Sequence, residues 1–207
     1  LGDDIDGEAA GDQSGESVSL SSDGSVVAIG APDNTNNSGH VRIYQFDSDS
    51  NAWSQLGQDI DGEAAGDQSG QSVSLSADGS VVAIWSHRND ENGESSGHVR
   101  IYQYANDSWT QIGDDIDGEA RGDESGRSVS LSSDGSIVAI GAYGNDGNGN
   151  KSGHVRIYQY ANDSWTQIGD DIDGETSEDR SGSRVSLSDD GSIVAISAQL
   201  NDGNGAV

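Results

Sequence analysis

An all-β fold of tandem four-stranded antiparallel blades, of β-propeller type, follows from three observations. The 207-residue chain repeats itself, with Leu1, Leu56, Ile112 and Ile168 opening equivalent segments. Its apolar residues make up only 31% of the chain, yet they gather into short runs of strand length. Thirty glycines and a single proline punctuate those runs. A period of about 56 residues fits one propeller blade better than a shorter solenoid coil. The units are residues 1–55, 56–111, 112–167 and an incomplete 168–207, about 3.7 blades in all.

Each unit predicts the same strands. In the first, "ESVSLS" alternates, setting Val18 and Leu20 on one face and serines on the other. "VVAIGA", Val26 to Ala31, is apolar throughout, the pattern of a central strand covered on both faces. The Asp23-Gly24 pair between them suits the positive φ angles of a tight hairpin. "HVRIYQ", His40 to Gln45, alternates again and points Val41 and Ile43 inward. "AWSQL", Ala52 to Leu56, makes an outer strand anchored by Trp53. Small residues inside and a bulky aromatic outside are what a blade requires. Length differences between units fall ahead of "SGHVRIYQ" and ahead of the Trp, which marks both places as exposed loops.

Composition narrows the function. Acidic residues number 37 against 9 basic ones, a formal charge of −28. Nucleic acid is excluded as a partner, because phosphates are met by Lys and Arg. Anionic membrane surfaces are excluded for the same reason. Such a charge favours cations as companions, or solubility in salty water. With no cysteine, disulfides, thiol chemistry and Cys-based zinc sites are out of reach. No stretch reads as a signal peptide or a membrane span, so no membrane insertion is expected. Methionine is absent, and the expectation is a chain that is processed or part of a longer one.

"GESVSLSSDGSVVAIGAP" followed by "GHVRIYQ" resembles the FG-GAP repeat of integrin α-subunit propellers and related secreted proteins. The resemblance runs through the whole chain, with Ser14-Gly15 at the Phe-Gly position and Gly30-Ala31-Pro32 at the Gly-Ala-Pro. It implies an extracellular or cell-surface propeller used for adhesion or recognition. The family's calcium loop is here shortened to hairpins such as "SSDGS". One carboxylate there, or two in the last unit, falls short of the six or more oxygens calcium takes.

The strongest polar cluster is "GDDIDGEAAGD". Its carboxylates are Asp4, Asp6, Glu8 and Asp12, then Asp59, Asp61, Glu63 and Asp67. They recur as Asp115, Asp117, Glu119 and Asp123, and as Asp171, Asp173, Glu175 and Asp179. Alternate carboxylates around a glycine can converge on calcium. Equally, they can form solvated turns whose side chains cap backbone N–H groups. His40, His98 and His154 recur beside Arg42, Arg100 and Arg156. Successive blades hold equivalent atoms too far apart for these histidines to share one metal, so structural pairing with carboxylates of a neighbouring blade is expected. His87 has no counterpart and reads as a loop residue.

Trp53, Trp109 and Trp165 could stack on sugars, but their fixed position in each unit points to packing. Trp85 replaces the small residue found as Gly30, Gly141 and Ser197. It is a candidate interface plug, with simple repacking as the other reading. Asn36, Asn106, Asn150 and Asn162 begin N-glycosylation sequons. No nucleophile, base and orienting group stand together, and identical copies in every unit are not how a single active site is built.

Two functions follow. One is a non-enzymatic structural or adhesive protein that joins copies of itself. "GHVRIYQ" occurs three times, and the chain stops at "NDGNGAV", where a fourth copy is expected. A neighbouring copy completing that blade would build filaments. The alternative is a cation-dependent module reading a carbohydrate or surface protein through the variable loops "PDNTNNS", "HRNDENGESS" and "YGNDGNGNKS".

Overall fold

The computed structural model describes residues 2–201 and 205–206. Leu1, and residues 202–204 and Val207 of the closing "NDGNGAV", lie outside the described residues. The first sheet pairs β1 (Ser17–Leu20), β2 (Val26–Ala31), β3 (His40–Asp47) and β4 (Ala52–Gln55) in that order. A two-residue β5 (Ile60–Asp61) lies beside the start of β3. The second sheet repeats the plan with β6 (Ser69–Leu75), β7 (Val81–Ser86), β8 (His98–Ala105), β9 (Ser108–Gln111) and β10 (Ile116–Asp117). The third uses β11 (Ser128–Leu131), β12 (Ile137–Ala142), β13 (His154–Ala161), β14 (Ser164–Gln167) and β15 (Ile172–Asp173). The fourth holds β16 (Ser181–Leu187) and β17 (Val194–Ala198). Every strand pair is antiparallel. A single kinked turn, α1 (Asn34–Asn37), sits in the first long loop. Among the described residues no helix is long and apolar enough to cross a membrane. The chain is an all-β array of propeller blades.

β5 differs from the turn expected of "DDIDGE". Ile60 and Ile116 are buried, and they draw two residues of an otherwise acidic run onto the free first half of β3 or β8. The outer edge of each blade is thereby shared by two short strands, and the acidic turn that follows is held against the sheet.

The core lies between sheets. Val26, Ala28, Val41, Ile43 and Ile60 of the first meet Val73, Leu75, Val82 and Ile84 of the second. Val81, Ala83, Val99, Ile101 and Ile116 meet Val129, Leu131, Val138 and Ile140 in the next junction. Val18 and Leu20, the counterparts of Val73 and Leu75, are 63% and 59% exposed because no described sheet covers their face of β1.

Serines of the inner strands join the sheets. The hydroxyls of Ser19, Ser74 and Ser130 accept the N–H groups of Leu75, Leu131 and Leu187, each at 3.0 Å. The hairpins form a parallel chain: Ser22 N–H donates to Ala77 O, Ala77 N–H to Ser133 O, and Ser133 N–H to Asp189 O, each at 2.8 Å. Within each hairpin the Asp carboxylate is used locally. Asp23 Oδ1 accepts from Ser21 Oγ at 2.8 Å, Ser25 N at 2.9 Å and Ser25 Oγ at 2.7 Å. The same bonds to Ser192 and Ser188 lower the carboxyl of Asp190 to about 2.

Trp109 and Trp165 each clasp their unit's end onto its beginning. Trp109 Nε1 donates to Leu56 O at 2.7 Å, and Trp165 Nε1 to Ile112 O at 2.8 Å. The rings lie against Gly57 and Gly113, whose positive φ of 77° and 71° turns the chain beneath them. Across the hairpin, Tyr104 and Tyr160 tilt onto the same rings, with centroids 5.2 and 5.1 Å apart. These aromatic faces are engaged in packing.

Candidate functional site

The polar groups of the chain concentrate where one blade meets the acidic turn of the next unit. The register sets His40 opposite Asp61, His98 opposite Asp117 and His154 opposite Asp173. All three imidazoles are fully buried. His40 Nδ1 lies 3.7 Å from Glu8 Oε2 and 3.8 Å from Asp59 Oδ2. His98 Nδ1 lies 3.3 Å from Asp115 Oδ2 and 3.9 Å from Asp117 Oδ1, with Glu91 completing the group. His154 Nδ1 lies 3.9 Å from Glu119 Oε2 and 3.7 Å from Asp171 Oδ2. The three histidines stay apart, as expected, but each gathers carboxylates of its own, all from sequence-predicted acidic turns except Glu91.

The facing His98 ring, with Gln111 Nε2 at 2.6 Å, holds the Asp115 carboxyl below its ordinary range against partial burial. Burial pushes Asp117 up, and neighbouring Glu91 adds to it. Burial and Arg156 push His154 down, which keeps its imidazole neutral. The arginines have other work. Arg42, Arg100 and Arg156 donate Nη2 to the backbone carbonyls of Asp6, Asp61 and Asp117 at 2.7, 3.1 and 2.7 Å. Arg100 and Arg156 also face Glu63 and Glu119 Oε1 at 3.4 and 3.8 Å.

The remaining acidic residues do not join these groups. Asp4, Asp6, Asp61, Glu63, Asp173 and Glu175 are exposed. Asp12, Asp67, Asp123 and Asp179 are buried. Asp12 Oδ2 accepts from Ala9 N at 2.8 Å and Asn34 Nδ2 at 3.2 Å. Asp123 does the same with Ala120 N and Asn145 Nδ2, both at 3.1 Å. Asp179 takes Thr176 N at 2.8 Å and Asn201 Nδ2 at 3.4 Å. This Asp–Asn partnership was legible in principle, because the two residues stand 22 apart in each of these units.

The variable loops mostly bind their own neighbours. Asn92 and Asn148 donate Nδ2 to Gly118 O and Gly174 O at 2.9 and 2.8 Å. Gln68 N–H reaches Asn37 O at 2.9 Å, and Glu178 N–H reaches Asn150 O at 2.8 Å. Loops tied this way serve the blade junctions. The sequon residues Asn36, Asn106, Asn150 and Asn162 are all exposed. Asn106 and Asn162 head tight hairpin turns at φ of 52° and 53°.

Trp85 is 1% exposed and belongs to the second core cluster. The interface it fills lies between its own second and third sheets, against Gly126. His87 meets its edge at 5.0 Å and the Arg127 guanidinium covers it at 5.9 Å. His87 is itself half-buried, with Nδ1 3.4 Å from Glu124 Oε2. At Gly30 and Gly141 the following sheet comes so close that an added Cβ would strike the Gly70 or Gly182 carbonyl. Parallel bridges join Gly39 to Ser69 and Gly153 to Ser181 there, and β6 and β16 run seven residues. Behind Trp85 the corresponding strand, β11, has four. The indole holds that segment off. Where the inner strands converge on the axis, a hollow of about 370 Å³ is lined by Glu16, Gln71, Trp85, Arg127 and Arg184.

Repeated four-stranded sheets stacked face to face, joined by inner-strand hydroxyls, define a β-propeller repeat protein. Residues 116–158 match the family model of the FG-GAP repeat, so that segment carries this repeat within a propeller fold. No curated protein matches the sequence. Among solved structures, a candidate 6-phosphogluconolactonase of Bacteroides uniformis aligns with a TM-score of 0.60 at 13% identity, over 90% of this chain and 50% of its own. Hydrazine synthase of Kuenenia stuttgartiensis gives 0.56 at 13%, over 91% and 56%. TolB of Acinetobacter baumannii gives 0.51 at 15%, over 91% and 39%. The chain therefore spans about half the length of the first of these structures. Identities this low establish a shared fold and carry none of the neighbours' activities.

Proposed function

We propose that this propeller module is a non-enzymatic structural or adhesive protein of the extracellular space or cell surface, and that it associates with copies of itself. One observation supports this most: the two ends of the array are the two halves of the junction already repeated within it. At one end Val18 and Leu20 are open, and Leu20 N–H and the Ser22 carbonyl hold the first places in the inter-sheet chains. At the other, Ile193 is 69% exposed, and Ser186 and Asp189 hold the next places in those chains. Beside them, an apolar hollow of about 320 Å³ is lined by Ile157, Ile168, Leu187 and Val194. Nothing among the described residues lies against Gly169, where Gly57 and Gly113 meet a tryptophan.

A head-to-tail contact between copies is heterologous and propagates unless its rotation closes. The exposed sequons suit glycosylation at a cell surface, and calcium remains the candidate companion of the exposed turn carboxylates that stand outside the histidine groups. The ties from Asn92, Asn148, Asn37 and Asn150 to the following unit support a junction role for the long loops over a sugar-binding face. Sedimentation velocity of the 207-residue chain and of Leu20→Asp tests the reading. Concentration-dependent oligomers in the wild type, lost in the equally stable variant, are expected. A folded monomer at high concentration overturns it.

A further inference from the structure

At the second junction the histidine–carboxylate group leaves buried polar atoms facing one another without a hydrogen bond, His98 Nδ1 and Asp117 Oδ1. Both ring nitrogens of His98 and Oδ1 of Asp117 lack any partner, as do the Nε2 atoms of His40 and His154. His98 is wholly buried, and its Nδ1 points into the carboxylates rather than at a protein acceptor. A buried polar group left without a partner is destabilising, and the same histidine and carboxylate positions recur at the other two junctions, where Nε2 of the histidine is the unpartnered atom. The separations explain what could satisfy it. Nδ1 to carboxylate distances of 3.3 to 3.9 Å exceed most hydrogen bonds. Donors sharing one small divalent cation at about 2.1 Å stand roughly 3 to 4 Å apart.

We propose that each junction binds one divalent cation of the zinc class. The ligands are His40 with Glu8 and Asp59, His98 with Asp115, Asp117 and Glu91, and His154 with Glu119 and Asp171. In each group the ligand atoms lie within 4.8 Å of one another. Imidazole selects a borderline metal over calcium, which takes oxygen. Two or three carboxylates balance the ion's charge, and the chain's formal −28 draws cations toward it. The neighbouring arginines are already engaged with backbone carbonyls. At the third junction Arg156 faces Oε1 of Glu119, while Oε2, which also accepts from Asn145 Nδ2 at 3.5 Å, faces the histidine. The ligands come from different stretches of the chain, so the ion would fasten the acidic turns to the central strand of the blade.

The test is calorimetric titration of the chelator-stripped 207-residue chain with zinc chloride, and with calcium chloride in parallel. Three zinc ions per chain are expected, undisplaced by equimolar calcium. Asp59→Asn, Asp115→Asn and Asp171→Asn, at partly exposed residues whose shape is kept, should each remove one ion. The triple variant should bind none while circular dichroism stays unchanged. His98→Gln should also lose one ion, and if it unfolds, Asp115→Asn decides for that junction. Unchanged stoichiometry in the Asn variants, or displacement of zinc by equimolar calcium, overturns the proposal.

Discussion

Trp85→Gly separates a ring that packs within the chain from one that works between chains. A buried indole removes about 200 Å² from water, about 5 kcal/mol at 25 cal/mol per Å². Loss of the Arg127 and His87 contacts adds roughly 1 kcal/mol. Two effects oppose this. Trp85 Nε1 is buried without a partner, so its removal relieves about 1–3 kcal/mol. The segment around Gly126 can also move inward, as the Ser69–Gly70 and Ser181–Gly182 segments already do opposite Gly30 and Gly141. The net loss is about 3 kcal/mol, at the low end for emptying a large aromatic site. In a chain of this size that lowers the melting temperature by roughly 6–12 °C. Thermal and urea unfolding followed by circular dichroism measure it, and sedimentation is run beside them. A loss under about 1 kcal/mol accompanied by weaker self-association would refute the intrachain reading.

The hairpin aspartates predict an acid limb. Their pKa values are depressed in the fold, so their stabilisation is present above the unfolded value near 4 and is lost as pH falls toward the folded value, about 2 for Asp190. The wild type and a fourfold Asp→Asn variant at Asp23, Asp78, Asp134 and Asp190 should therefore differ in melting temperature above pH 4 and converge toward pH 2; a constant gap argues against it. Ser74→Ala strips the Leu131 N–H of its acceptor and should cost about 1–2 kcal/mol in urea unfolding. Ser186→Ala should leave stability alone and weaken association.

The fold was legible because its signals are redundant. Alternation in "ESVSLS", the unbroken "VVAIGA" and the Asp-Gly hairpin agree in every unit, and a junction core needs no more than that agreement. β5 was hidden because two residues in an acidic run carry too little pattern. Only the isolated Ile60 and Ile116 betray it, and their burial depends on a neighbouring sheet. Trp85 was visible as an exception, but its consequence was not. Whether an oversized ring faces solvent or the next blade turns on the approach of Gly126, from 41 residues further along.

The histidine groups show how repetition can conceal a site. Asking whether His40, His98 and His154 converge treats the repeat as parts of one centre, and blade geometry answers no. The register of β3 with β5 poses a different question, because it brings the acidic turn of one unit onto the histidine of the unit before. Asp59 serves His40, Asp115 serves His98, and Asp171 serves His154. Sites built this way belong to junctions rather than to units. Four acidic turns and three strand histidines then give three groups, one for each place where an acidic turn follows a completed "HVRIYQ" strand. A scaffold repeated for packing acquires a site at every seam, without any unit containing one alone.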